Sequence, residues 1–205
     1  MSAIAVIDFE TSGLMPEAGG RATEVAIVLT ETGRIVDRFQ SLMNAGVSIP
    51  RFITELTGIS NAMLREAPPA EQVMREAARF VGKLPLVAHN ASFDRKFWQA
   101  ELGRIGLDAP QPFACTVLLS RRLYPGAPNH KLGTLADFHG IERNGRAHRA
   151  LSDAEVTAEL LLRMQTDLRE RHGIAASGHD FLQALQQCGK AALPRFLQRH
   201  SSIPG

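Results

Sequence analysis

Cysteine is scarce in this chain. There are two, Cys115 and Cys188, far apart and in no CxxC pair. A disulfide framework or a thiolate zinc site is therefore not expected, and a reducing compartment fits. Long apolar runs are missing as well. None approaches the roughly 20 residues that a membrane-spanning helix needs, so no membrane association is expected. The start, Met1-Ser2-Ala3-Ile4-Ala5-Val6-Ile7, has no basic residue and meets an acid at Asp8. It does not read as a secretion signal, and a cytoplasmic location is the expectation.

An excess of one charge is also lacking. Against 23 Lys plus Arg stand 21 Asp plus Glu, leaving a net charge of +2. That is not the surplus of a protein that coats long nucleic acid, though it is compatible with an enzyme gripping a short end. Lysine itself is rare, with only Lys83, Lys96, Lys131 and Lys190. The resulting arginine bias suits bidentate phosphate contacts, and equally a GC-rich genome. No internal repeat or low-complexity tract is present. What remains is ordinary: 205 residues, 44% of them hydrophobic and 21% charged. This suits one soluble domain able to bury its own core.

The apolar pattern changes period along the chain. Residues 3–9 form a continuous apolar, β-branched run, the mark of a strand buried on both faces. Residues 23–30 and 34–43 read as two further strands joined by a turn at Thr32-Gly33, giving an antiparallel meander. Helical spacing follows, with short helices over 50–56 and 60–65 and a longer one over 70–82. Short strands at 84–88 and 113–116 alternate with helices over 92–105, up to about 123, over 132–139 and over 152–171. Strands first as a meander and then alternating with helices predict an α/β fold with a mixed sheet. Beyond Gly173 the chain reads as looser, with two short amphipathic stretches near 181–187 and 193–199.

The acids carry the chemistry. Asp8 and Glu10 end the first apolar strand, and side chains two apart on a strand face the same side. Two carboxylates forced together in a partly buried place repel, and a divalent cation removes that cost. Asp94 falls in the first turn of the helix after the fourth strand, and Asp153 in that of the long C-terminal helix. Taken singly, each acid has an ordinary explanation as solvated surface or as a partner for a helix dipole. Asn90 has one as a helix cap. His148 lies five residues before Asp153, about 140° around a helix, so both reach one site only if His148 sits on the preceding loop. A loop histidine beside metal-bound carboxylates is a reasonable general base. Four carboxylates without a thiol suit a hard ion such as Mg²⁺ or Mn²⁺.

Three segments, in order, resemble the Exo I, Exo II and Exo III motifs of the DEDDh (DnaQ-like) 3′–5′ exonucleases, the family of the proofreading epsilon subunit of bacterial DNA polymerase III. They are Asp8-Phe9-Glu10-Thr11-Ser12-Gly13-Leu14, His89-Asn90-Ala91-Ser92-Phe93-Asp94, and His148 with Asp153 five residues on. Leu56-Thr57-Gly58-Ile59 resembles the family's Thr-Gly-Ile segment. The resemblance covers about residues 3–170. It implies an RNase H-like fold with a five-stranded mixed sheet flanked by helices, an exonuclease domain over 1–172 and a helical tail over 173–205. It also implies two divalent cations, Mg²⁺ or Mn²⁺, held by Asp8, Glu10, Asp94 and Asp153, with His148 deprotonating the attacking water. Thr11, Leu14, Asn90 and Phe93 would hold the terminal nucleotide. The implied partner is a nucleic-acid 3′ end, DNA favoured over RNA, with a DNA polymerase or a second copy of the chain admitted. No glutamine-led sliding-clamp motif of the kind expected in an epsilon subunit is present. RNA trimming, and a non-catalytic module that only binds an end or scaffolds a polymerase, are the competing readings.

Overall fold

The computed structural model describes residues 3–143, 145 and 147–201. Five strands form one mixed sheet in the order β3-β2-β1-β4-β5. β1 (Ile4–Thr11) lies at its centre, antiparallel to β2 (Ala22–Glu31) and parallel to β4 (Leu86–Ala88). β3 (Arg34–Leu42) extends the meander on one side, and β5 (Phe113–Cys115) runs parallel to β4 on the other. The meander, the mixed sheet and the five strands agree with the expectation. The β2–β3 connection is two residues, Thr32 and Gly33, both at positive φ (49° and 81°). Two positive-φ residues match the twist of a tight hairpin, and glycine takes that conformation without a Cβ clash.

Alternation along β1 sorts the two layers. Ala5, Ile7 and Phe9 enter one core with Val25, Ile27, Leu86 and residues of α3 (Ala70–Val81) and α4 (Ser92–Arg104). Ile4 and Val6 enter the other, with Ala26, Val28 and residues of α5 (Thr116–Leu123), α6 (Leu132–His139) and α7 (Ala150–His172). Both faces of β1 are therefore dry, which is why its sequence reads as unbroken apolar residues. Two short helices, α1 (Arg51–Thr57) and α2 (Asn61–Glu66), cross between β3 and α3. Among the described residues no helix is long and apolar enough to cross a membrane.

The segment after Gly173 departs from the expected looseness. Ile174, Leu182 and Leu185 are buried in the second core. On α8 (His179–Gln187), Gln186 Oε1 accepts the Cys115 N–H at 2.7 Å and Gln183 Nε2 donates to the Phe113 carbonyl at 3.3 Å. These side chains occupy backbone groups of β5 that no neighbouring strand pairs. Sequence periodicity over nine residues does not reveal such a partner. Only α9 (Leu193–His200) keeps to the surface, with no buried residue.

β1 and β4 are parallel neighbours, so their carboxyl ends open on the same side of the sheet. In open α/β sheets that crevice is where ligands are bound. Here it receives the loops after β1 and β4, and the acids of both.

Candidate active site

β1 presents Ile4, Val6, Asp8 and Glu10 along one face, so the apolar surface of the strand runs directly into two carboxylates. The ladder with β2 slips between Glu10 and Thr11, where the strand leaves the sheet. Such irregularities re-aim side chains at strand ends. Asp94, on the first turn of α4, reaches back to β1, and the Phe9 N–H donates to its Oδ1 at 3.2 Å. It is 2% exposed. Asp153 sits on the first turn of α7, and its Oδ2 accepts the His148 N–H at 2.9 Å.

His148 itself lies off the helix, exposed, with a left-handed φ of 59°. Ligand atoms of Glu10, His148 and Asp153 lie within 4.8 Å of one another. Asp8, Asn90, His148 and Asp153 line a cleft of about 1290 Å³ whose further wall carries Arg121 and Lys131.

The acids disturb each other's ionisation. Burial pushes the Glu10 carboxyl up to about 8, reinforced by Asp153, Glu24 and Asp94, with Arg149 opposing. Burial takes Asp94 to about 8 as well, despite the Phe9 amide. Asp8 is raised well above the ordinary range by burial and then by Asp94, Glu10 and Asp153. Burial also raises Asp153. Four carboxyl groups that resist ionising side by side are the electrostatic mark of a site for cations. An oxygen-rich set with one imidazole and no thiol fits hard divalent ions. This is a candidate metal site.

The four residues expected at the terminal nucleotide fall in different settings. Thr11 is buried, and its hydroxyl donates to the Gly13 carbonyl at 2.7 Å. Leu14 is 81% exposed, on a loop drawn tight where Gly20 N–H meets the Met15 carbonyl. A Cβ at Gly20 would stand 2.8 Å from that carbonyl oxygen. Asn90 is exposed at a left-handed φ of 67° and lines the cleft. The residue at the cap position of α4 is Ala91, so Asn90 is not the helix cap. Non-glycine residues held at positive φ cluster at functional sites, and Asn90 and His148 are two of the three among the described residues. Phe93 is half-buried, its ring 5.0 Å from that of Phe97.

Sequence reasoning gave no role to five polar residues around the site: Glu24, Arg149, Arg21, Glu101 and His89. Glu24 on β2 is opposite Glu10 in the ladder and 0% exposed, yet it is paired with Arg149. Burial pushes its carboxyl up, but bonds from Arg149, Gln40 and the Ala150 amide overcome this and hold it below the usual range. Arg21 makes a two-pronged pair with buried Glu101 on α4, both contacts at 2.9 Å. His89, quoted above as part of the second motif, bonds the His130 carbonyl through Nε2 at 3.1 Å and the Thr116 hydroxyl through Nδ1 at 2.8 Å. A carbonyl only accepts, so Nε2 donates and Nδ1 accepts. Burial depresses the ring to about 4 and keeps it neutral. His89 therefore ties the end of β4 to the cleft wall. The one legible signal for Glu24 was an acid inside an apolar strand.

Comparison with known proteins identifies the family. Residues 5–161 match the Exonuclease (RNase_T) family. The chain is 37% identical over 170 residues to the DNA polymerase III subunit epsilon of Aquifex aeolicus, covering 82% of this chain and 83% of that one. It is 40% identical over 166 residues to the 3′-5′ exonuclease DinG of Bacillus subtilis, and 42% over 171 to a PolC-type DNA polymerase III of Halalkalibacterium halodurans. Those matches cover 80% and 83% of this chain but only 18% and 12% of those longer proteins. Among solved structures, Exonuclease X in complex with 5′ overhanging duplex DNA superposes with a TM-score of 0.71 at 27% identity, over 89% of this chain and 99% of that one. The nuclease domain of 3′hExo, a DEDDh family member, shares the fold with a TM-score of 0.68 at 24% identity, over 80% of this chain and 92% of that one. With its RNase H-like sheet and acids at the strand ends, the chain belongs to the Exonuclease (RNase_T) family, in the DnaQ-like DEDDh group.

Proposed function

We propose that this protein is a 3′–5′ exonuclease that hydrolyses the terminal phosphodiester bond of a nucleic-acid strand and releases nucleoside 5′-monophosphates. The observation that carries the reading is the convergence of Asp8, Glu10, Asp94, Asp153 and His148 at the carboxyl end of the β1–β4 pair. Four acids with depressed willingness to ionise, and one histidine on a loop beside them, have no comparable structural purpose in a module that only binds.

Asp8, Glu10, Asp94 and Asp153 would hold two divalent cations, Mg²⁺ or Mn²⁺. Bound cations supply charge stabilisation at the attacking and leaving oxygens and lower the pKa of coordinated water. The remaining steps fall to the chain. His148, exposed on its loop beside Asp153, takes a proton from the attacking water. The new oxygen–phosphorus bond forms as the bond to the upstream 3′ oxygen breaks, and that oxygen takes a proton from solvent water to leave a shortened strand with a fresh 3′-hydroxyl. Thr11 at the end of β1 and Leu14 on the loop after it, with Asn90 and Phe93, would seat the terminal sugar and base. Arg121 and Lys131 give the cleft wall the charge to hold the phosphodiester backbone that follows.

Single-stranded DNA or a 3′ overhang is the favoured substrate, supported by the relatives named for DNA polymerase and by Exonuclease X bound to overhanging duplex DNA. The same relatives support a DNA polymerase as partner; a proofreading or repair role and a cytoplasmic location are part of the proposal. Residues 1–172 would be the catalytic part and 173–205 an extension without catalytic residues. A panel of single- and double-stranded DNA and RNA, with free and blocked 3′ ends, tests the reading. Preference for DNA with a free 3′ end supports it. Faster cleavage of RNA favours a 3′-trimming ribonuclease, and cleavage of 3′-blocked strands at undiminished rate removes the polarity.

A further inference from the structure

The segment that carries His148 needs an anchor. Residue 147 is exposed and His148 is exposed with a left-handed backbone, so little of its own packing fixes the imidazole. One residue later the chain is held firmly. Both oxygens of Glu24 are used. Oε2 accepts from Arg149 Nε and from the Ala150 N–H, each at 3.1 Å. Oε1 accepts from Arg149 Nη2 at 2.9 Å and from Gln40 Nε2 at 2.6 Å. A two-pronged arginine–carboxylate pair fixes direction as well as distance. The bond to Ala150 also captures one of the orphan amides at the start of α7, where Arg149, the residue before the helix, provides no side-chain cap.

Glu24 is not fitted to be one more cation ligand. Four donors already fill its oxygens, and it belongs to none of the ligand groupings among the described residues. Its place is opposite Glu10 in the β1–β2 ladder. The same carboxylate therefore connects the strand that bears Asp8 and Glu10 to the loop–helix junction that bears His148 and Asp153. Arg149, held there, also sets a positive charge near Glu10.

We propose that Glu24, through Arg149 and the Ala150 amide, is the positioning residue for His148: a buried clamp that fixes the general base relative to the β1 acids. This rests on the proposed exonuclease reading, in which His148 activates water. The clamp acts on proton transfer and leaves strand binding and ion binding largely to other groups.

The test is a double-mutant cycle on the full chain, digesting a 3′-labelled single-stranded oligodeoxynucleotide with Mn²⁺. Glu24→Gln keeps the side-chain shape and removes the charge. Arg149→Lys keeps the charge and removes the fork. Each is expected to lower kcat about 10- to 100-fold, the usual cost of removing a group that orients an active-site residue, with KM and Mn²⁺ affinity changing less than about threefold. In a His148→Ala background, either substitution should lower kcat by less than about threefold more, because the group it positions is already gone. Should Glu24→Gln fold poorly by circular dichroism, the Arg149→Lys cycle decides. Full multiplicative losses in the His148→Ala background, or a loss confined to Mn²⁺ affinity, would overturn the clamp. A fully active His148→Ala, or an inactive wild type, would instead overturn the exonuclease reading beneath it.

Discussion

If the four acids hold cations, ion binding must displace protons. Burial holds Glu10 and Asp94 at about 8, with repulsion from neighbouring acids adding at Glu10, against ordinary values of 4.5 and 3.8. A group with a pKa of about 8 is about nine-tenths protonated at pH 7 and about one-tenth at pH 9. Two such groups release nearly two protons per protein at pH 7 and about 0.2 at pH 9 when cations require them ionised. Asp8, raised by burial and by its neighbouring acids, contributes to the release as well. The stability consequence has a definite sign. Folded-state values above unfolded ones mean that the metal-free folded protein binds more protons than the unfolded chain. The contribution of these groups to stability is therefore greatest below the ordinary carboxyl range and falls as pH rises through about 4 to 8. Cations should offset that loss, so the rise in melting temperature with Mn²⁺ should be greater at pH 8 than at pH 5. Isothermal titration calorimetry with Mn²⁺ in two buffers of different ionisation enthalpy counts the protons directly. Release of fewer than about half a proton at pH 7, or the same number at pH 7 and pH 9, would refute the reasoning.

Three other outcomes follow from particular contacts. His148→Ala should lower kcat about 10²- to 10⁴-fold, the range for losing a general base, while Mn²⁺ affinity by calorimetry stays near wild type; a matching loss of affinity would make His148 a ligand. Truncation after residue 172 removes Ile174, Leu182 and Leu185 from the core, costing about 5–9 kcal/mol at about 1.5–3 kcal/mol per buried side chain. Urea unfolding of the truncated chain should show a much lower midpoint or no cooperative transition, and an unchanged midpoint would contradict the packing of α8. Arg21→Leu leaves the Glu101 carboxylate buried without its partner, at a cost of about 3–5 kcal/mol; a loss under about 1 kcal/mol in the same assay would show that Arg104 or water takes over.

Much of the fold was legible because its strongest signals are local. Residues 3–9 announce a doubly buried strand, and Thr32-Gly33 announces the hairpin that follows. Asp94 and Asp153 sit one turn into helices whose starts could be read within two residues. The angular argument that His148 and Asp153 cannot share a helical face matches a helix that begins at Ala150. What the sequence withheld is contact between distant segments. Glu24 and Arg149 are 125 positions apart, and their pairing depends on how α7 is laid on β2. An acid in an apolar strand signals something unusual without naming its partner. The role of α8 was hidden in the same way, since glutamines that bond the backbone of β5 look like an ordinary polar face.

The most direct measurement of the central claim compares wild type with Asp8→Ala on a 3′-labelled single-stranded oligodeoxynucleotide in Mg²⁺ or Mn²⁺. Asp8 is the acid most surrounded by the others, and its removal should abolish turnover while the fold persists by circular dichroism. Wild type is expected to release labelled mononucleotide from the 3′ end and Asp8→Ala none above background. Equal release by the two proteins would contradict the assignment of the site, and no release by wild type with either ion would contradict the activity itself.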